Sequence, residues 1–145
     1  MPFVFILLVG GVARNPTAVG AEKLLESAEP ARGMIRITRH PVMWAIILWS
    51  LAHALARGDL KSLIFFGAMF ALAALGTVAI DRKRASGPGW PKFAAVTSNI
   101  PFVAIAQGRN RMAWREIGLA KPAIGLVVFA AVFAAHPWLF GARPY

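Results

Sequence analysis

The sequence contains no cysteine, which excludes disulfide bonds, thiolate metal ligands and cysteine nucleophiles. Acidic residues are also scarce: six Asp and Glu stand against 16 Lys and Arg, which gives a formal net charge of +10. Apolar side chains are abundant, at 58% of 145 residues, and this exceeds what a typical soluble domain carries. The composition and length predict one all-α membrane domain over 1–145, an integral membrane helical bundle.

The excess of positive charge is confined to segments between long apolar runs. Segments 14–39 and 82–121 hold five and eight of the 16 basic residues, and the rest are Arg57, Lys61 and Arg143. The positive-inside bias of membrane proteins explains this distribution more simply than binding to nucleic acid, which we do not expect. It predicts a multi-pass protein of the cell inner membrane, surrounded by lipid, with both basic segments in the cytoplasm.

Four apolar runs set the predicted spans. The runs at 41–56, 60–80 and 122–140, which are the second, third and fourth along the chain, predict three full transmembrane helices. The run at 41–56 is slightly shorter than the roughly 20 residues that a bilayer needs. The run at 2–13 is shorter still. It resembles the end of a spanning helix whose beginning is missing, and the alternative is a short re-entrant or interfacial segment.

The polar segments predict only short helices. A short amphipathic helix over 18–28, or a solvated surface loop, precedes the second run, and a helical turn is expected at 92–96. Asn99 is a predicted N-cap, with Pro101 in the first turn of the helix and Gly108 past its end. Three arginines suit anionic headgroups, or else a solvated loop: Arg109, Arg111 and Arg115.

The second apolar run has one histidine directly before it, His40, and one near its end, His53. His40 and His53 are 13 residues apart, so along a helix they lie about 20 Å apart and on largely opposed faces. One small ligand therefore cannot bind both. We interpret His40 as an interfacial residue beside Arg39, at the cytoplasmic mouth of the helix.

His53 lies near the non-cytoplasmic end of its helix, which we call the outer end, and shares its face with Ile46, Trp49 and Ser50. A histidine this deep in an apolar helix is costly unless it is paired, so it is a candidate functional residue. It is predicted to be a metal or haem ligand, or to hydrogen-bond a neighbouring helix. His136 lies at a similar depth on the last run and is the candidate second ligand, or else a plain interfacial residue.

Several motifs together resemble those of the NnrU family of bacterial membrane proteins, and they are also similar to those of plant zeta-carotene isomerases. The motifs are MIRITRHP at 34–41, LWSLAH at 48–53, the Gly-Asp pair at 58–59, the Asp-Arg pair at 81–82, TSNIPF at 97–102, QGR at 107–109 and the His-Pro pair at 136–137. They follow one another over most of the chain from Met34 onward, which makes the resemblance fairly specific.

The resemblance implies a cofactor and a cellular context. NnrU proteins are associated with nitric and nitrous oxide metabolism, without a settled activity. The isomerases bind haem b and use redox-dependent exchange of an axial ligand. Their haem histidine aligns with His53, and their exchanging cysteine aligns with Ser50, whose hydroxyl is a poor iron ligand. The other axial histidine of the isomerases belongs to helices that precede the position of Pro2, and we expect those helices to be missing here.

Two classes of function follow from these observations. The first is a membrane protein that binds haem b through His53 and His136, with a carotenoid-type cis–trans isomerisation or a redox role. The second is a non-enzymatic membrane accessory of nitrogen-oxide metabolism. The residues identify neither the substrate nor the oligomeric state, and they leave open whether the chain is an enzyme.

Overall fold

A computed structural model describes residues 1–12 and 14–143, and every regular element within these ranges is helical. The all-α prediction is therefore confirmed for the described residues. The α-helices are α1 at Pro2–Val12, α2 at Pro41–Arg57, α3 at Leu60–Arg84, α4 at Trp90–Val96, α5 at Val103–Ala106, α6 at Trp114–Ile117 and α7 at Ala120–Phe140. Short 3-10 helices lie at Glu22–Glu26 and Gly33–Arg36.

Two of these helices, α3 with 25 residues and α7 with 21, are long and apolar enough to cross a membrane. Only 11% and 6% of their most apolar windows are buried within the chain. The core helix of a soluble protein would be mostly covered, whereas these helices expose their apolar side chains as a lipid-facing helix does.

The prediction of three full spans is wrong, because α2 has only 17 residues. At about 1.5 Å per residue it measures about 26 Å, less than the roughly 30 Å of a bilayer core.

Both ends of α2 are set by backbone chemistry. Pro41 is in the first turn, where its missing N–H is not needed. Gly58 ends the helix in the left-handed conformation, with φ 68°.

A tight turn joins α2 to α3, and the two helices pack together. The Gly58 N–H donates to the Ala54 carbonyl at the end of α2. Asp59 then caps α3, since its carboxylate accepts from the Ser62 N–H at 3.0 Å. This cap satisfies one of the free N–H groups at the start of a helix. The result is an antiparallel hairpin, with His53 near its closed end.

α1 packs against both α2 and α7. A glycine permits the close approach of α1 to α7: a Cβ at Gly125 would lie 2.9 Å from the Ile6 Cα. Small residues at such crossings let helix backbones come close together. Ala13, which we expected to end the first apolar run, lies outside the described residues.

The loops agree with only part of the prediction. Segment 18–28 was predicted to be either a short amphipathic helix or a solvated loop. It contains only a 3-10 helix at Glu22–Glu26. α4 contains the helical turn expected at 92–96. The capping role predicted for Asn99 is wrong. Its side chain instead donates to the Thr77 hydroxyl on α3, at 2.8 Å, and α5 begins only after Phe102.

The close approach at Gly125 generates a test. Gly125→Leu is expected to lower the free energy of unfolding in detergent by at least about 2 kcal/mol, because the new side chain would collide with the α1 backbone. Gly67→Leu is the matched control, since open space surrounds that position on α3, and we expect a change below about 0.5 kcal/mol. Circular dichroism during denaturation measures both values. Equal stability of the two variants would contradict the packing described for α1 and α7.

Candidate functional site

The structure brings together His53 and His136, the two histidines that the sequence places at similar depth. Their ring centroids lie 6.4 Å apart, and their planes differ by 20°. His53 is on the last part of α2, and His136 is near the end of α7. Both side chains are half-buried. His40, at the start of α2, is not part of this pair.

Hydrogen bonds determine which ring nitrogen of each histidine carries a proton. His53 Nδ1 lies 2.8 Å from the Trp49 carbonyl oxygen, and His136 Nδ1 lies 2.7 Å from the Ala142 carbonyl oxygen. A carbonyl only accepts hydrogen bonds, so each Nδ1 is the donor. Each Nε2 therefore carries the lone pair in the neutral imidazole. Neither Nε2 has a hydrogen-bond partner within residues 1–12 and 14–143.

The contact to Ala142 depends on how α7 ends. Pro137 lies inside the last turns, and the helix stops at Gly141 in the left-handed conformation, with φ 64°. The Gly141 N–H donates to the Pro137 carbonyl. The chain then folds back, which places the Ala142 carbonyl beside the His136 ring. A short local motif thus orients this imidazole.

Aromatic rings surround the histidine pair. The His53 centroid lies 4.9 Å from both Trp49 and Phe66, and the His136 centroid lies 4.8 Å from Phe140. The arrangement therefore places two imidazole rings side by side in a largely aromatic setting.

Ser50 has a local role in α2. Its side chain is fully buried, and its hydroxyl lies 2.8 Å from the Ile46 carbonyl oxygen and 3.1 Å from that of Ile47. The hydroxyl therefore donates within its own helix, as serines in apolar helices commonly do. This position supplies neither a thiolate nor a free hydroxyl to the histidine pair.

Within the described ranges, no three His, Asp or Glu side chains converge in a group that could hold a metal ion. A structural zinc site, which needs four protein ligands, is thus not formed by these residues alone. Two imidazoles are, however, a set of axial ligands that suits a haem iron, since the macrocycle supplies the remaining bonds.

A second group of polar residues, which we call the inner cluster, lies at the opposite end of the hairpin and consists of Arg39, His40, Asp81, Thr97 and Asn99. His40 is only 1% exposed, and its Nε2 lies 2.7 Å from Asp81 Oδ1. The Arg39 guanidinium lies 3.5 Å from the other Asp81 oxygen and donates to the Thr97 carbonyl at 3.0 Å. The His40 side chain is thus buried in the protein, which the interfacial interpretation of this residue did not anticipate.

The inner cluster joins α2 and α3 to the segment 97–102. The Asn99 carbonyl accepts from the Thr38 hydroxyl at 2.6 Å and from the Trp44 indole N–H at 2.8 Å. The Arg39 N–H donates to the Ser98 carbonyl at 2.9 Å. Segments about 60 residues apart in the chain are therefore held together by hydrogen bonds, which are costly to lose when they are buried.

The role of Asp81 was missed from the sequence, where it marks only the boundary of an apolar run. The position of Asp81 along its helix could have indicated that it pairs with His40. Asp81 follows the third run and His40 precedes the second run, so in two antiparallel neighbouring helices these residues lie side by side. An acidic residue in a chain that has only six of them therefore pairs with both basic side chains of the Arg-His motif.

Comparison with known proteins gives a family and two relatives. The family model described as NnrU protein matches residues 1–144. The 15-cis-zeta-carotene isomerase of Arabidopsis thaliana is 35% identical over 116 residues, and that of Zea mays is 33% identical over 111 residues. The alignments cover 76% and 72% of this chain, but only 31% and 30% of those two proteins. No solved structure matches the chain significantly.

The inner cluster generates a prediction about stability. Asp81→Ala is expected to lower the free energy of unfolding by about 3 kcal/mol, because it leaves the partly buried Arg39 and the buried His40 without their carboxylate partner. The control is Glu22→Ala, which removes an exposed partner of Arg84 and should cost less than about 1 kcal/mol. Tryptophan fluorescence during denaturation in detergent measures both. A loss below about 1 kcal/mol for Asp81→Ala would show that the cluster does not hold the hairpin.

Proposed function

This chain belongs to the NnrU family, and from that premise we propose that it is an integral membrane protein of the cell inner membrane that binds haem b. The observation that carries the proposal is the approach of His53 to His136, each with a free Nε2. The positive-inside distribution of Lys and Arg supports a multi-pass topology, in which the two histidines lie near the outer face.

The residues at the pair fit a haem iron. The ring centroids lie 6.4 Å apart, and each ring has an Nε2 that could bind iron. Each Nδ1–H donates to a backbone carbonyl, as metal-binding histidines commonly do. His53 and His136 would therefore hold the iron, and the carbonyls of Trp49 and Ala142 would orient the two rings.

A bound haem would supply an iron centre that changes oxidation state. His53 and His136 would hold that centre. Trp49, Phe66 and Phe140 pack against the two histidines and limit the access of water to them. Ser50, whose hydroxyl bonds within α2, would not be a ligand.

The reaction class that the relatives favour is cis–trans isomerisation of an apolar polyene. The two relatives are 15-cis-zeta-carotene isomerases, and a polyene would be dissolved in the membrane beside exposed apolar faces such as those of α3 and α7. The second candidate is a non-enzymatic accessory role in nitric and nitrous oxide metabolism, which the family context favours. Conversion of a cis-polyene by the haem-loaded protein would separate the two candidates.

Haem content of purified variants tests the ligand assignment. His53→Ala and His136→Ala are each expected to reduce the haem bound per protein at least about tenfold, because each removes one axial imidazole. His40→Gln is the control, because position 40 lies about 20 Å from His53 along the helix. The amide of the new side chain can still donate to Asp81. Pyridine haemochrome absorbance, normalised to protein, measures the content, and circular dichroism verifies folding.

Each outcome has a definite meaning for the proposal. Loss of haem in both alanine variants, with retention in His40→Gln, supports ligation by the pair. Full haem content in a folded His53→Ala protein would refute the assignment. Equal loss in all three folded variants would also refute it, because the effect would then not be specific to the pair.

A further inference from the structure

A groove of about 440 Å³ lies on the side predicted to be cytoplasmic, next to the inner cluster, since Arg109 of the groove and Arg39 of the cluster both donate to the Thr97 carbonyl. Its walls are formed by the loops before α2 and after α4, and none of its residues belongs to α2, α3 or α7. The lining residues that bear charge or amide groups are Glu29, Arg36, Arg109, Asn110 and Arg111. Three guanidinium groups therefore face a single groove, and their partners decide what it can bind.

One arginine, Arg36, is neutralised and fixed within the protein. It makes two hydrogen bonds of 2.7 Å to the Glu116 carboxylate, and its Nη1 donates to Asn110 at 2.8 Å. The hydrogen bonds from Arg36 lower the pKa of Glu116 to about 2, so this ion pair persists at neutral pH. It provides a rigid wall of the groove but no excess charge.

Arg109 is held in place without a carboxylate partner. One terminal nitrogen, Nη1, lies within hydrogen-bond distance of the carbonyls of Ala95 and Thr97, at 2.7 and 2.9 Å, and Nε donates to Gln107. A cation at the end of α4 is favourable, since the carbonyls there carry partial negative charge. The other nitrogen, Nη2, donates to no group within residues 1–12 and 14–143.

Arg111 adds a second uncompensated positive charge. Its side chain is exposed and forms no ion pair in the described part of the chain. The one acidic residue of the groove, Glu29, lies 3.6 Å from Arg32 and is thus already paired. Two guanidinium groups with free N–H donors, one of them fixed, therefore remain available at the groove.

We propose that this groove binds a phosphate group, supplied either by an anionic lipid headgroup or by a soluble phosphate compound. A guanidinium offers a planar set of donors that matches phosphate oxygens and favours them over neutral ligands. The apolar part of the wall, formed by Pro30, Ala31 and Val96, can contact the carbon skeleton next to the phosphate. The proposal does not depend on haem binding.

The test compares Arg111→Gln with Arg115→Gln. Both remove an exposed charge from the segment between α5 and α7, but Arg115 belongs to α6 and does not line the groove. In the first arm, inorganic phosphate is titrated by calorimetry into protein in phosphatidylcholine nanodiscs at constant ionic strength. In the second arm, native mass spectrometry counts phosphatidylglycerol molecules retained after release from mixed nanodiscs.

The expected result is that Arg111→Gln weakens binding about tenfold, the loss of one charge-assisted hydrogen bond, and that Arg115→Gln changes it less than about twofold. Binding of inorganic phosphate assigns the site to soluble compounds, whereas retention of phosphatidylglycerol alone assigns it to a lipid headgroup. Absence of binding in both arms would overturn the proposal. Equal losses in the two variants would also overturn it, since binding would then reflect only general surface charge.

Discussion

The contact of His40 and Arg39 with Asp81 is the interaction on which the rest of the arrangement depends. It closes the open end of the α2–α3 hairpin, whose other end is closed by the turn at Gly58. Helices fixed at both ends cannot slide past one another by a turn. The position of His53 along the hairpin is therefore fixed, and His53 can meet His136 on α7 at a constant depth.

Much of this arrangement follows from the sequence, because its strongest signals are local. The uninterrupted apolar runs predicted α3 and α7, and the charge distribution predicted which helix ends share a side. Depth along parallel helices then predicted that His53 pairs with His136 rather than with His40. The family was also evident from the motifs between Met34 and Pro137, and the match of the family model confirms it.

The remainder depends on contacts that no local pattern encodes. The run at 41–56 was predicted to be a full span although it was already short for one, because its apolar character was given more weight than its length; α2 indeed has only 17 residues. Asn99 was predicted to cap a helix but bonds Thr77 on α3, and a capping pattern cannot reveal a competing partner 22 residues away. The acceptor of the His136 N–H, the Ala142 carbonyl, depends on the fold-back after α7.

The central proposal is that His53 and His136 together hold one haem iron. Electron paramagnetic resonance of the ferric haem protein, purified in detergent without added ligands, tests this most directly. Two imidazole ligands give a low-spin ferric iron, so we expect a low-spin signal in the unmodified protein and the loss of that signal in His136→Ala. A high-spin signal in the unmodified protein, or a low-spin signal unchanged in His136→Ala, would contradict the account.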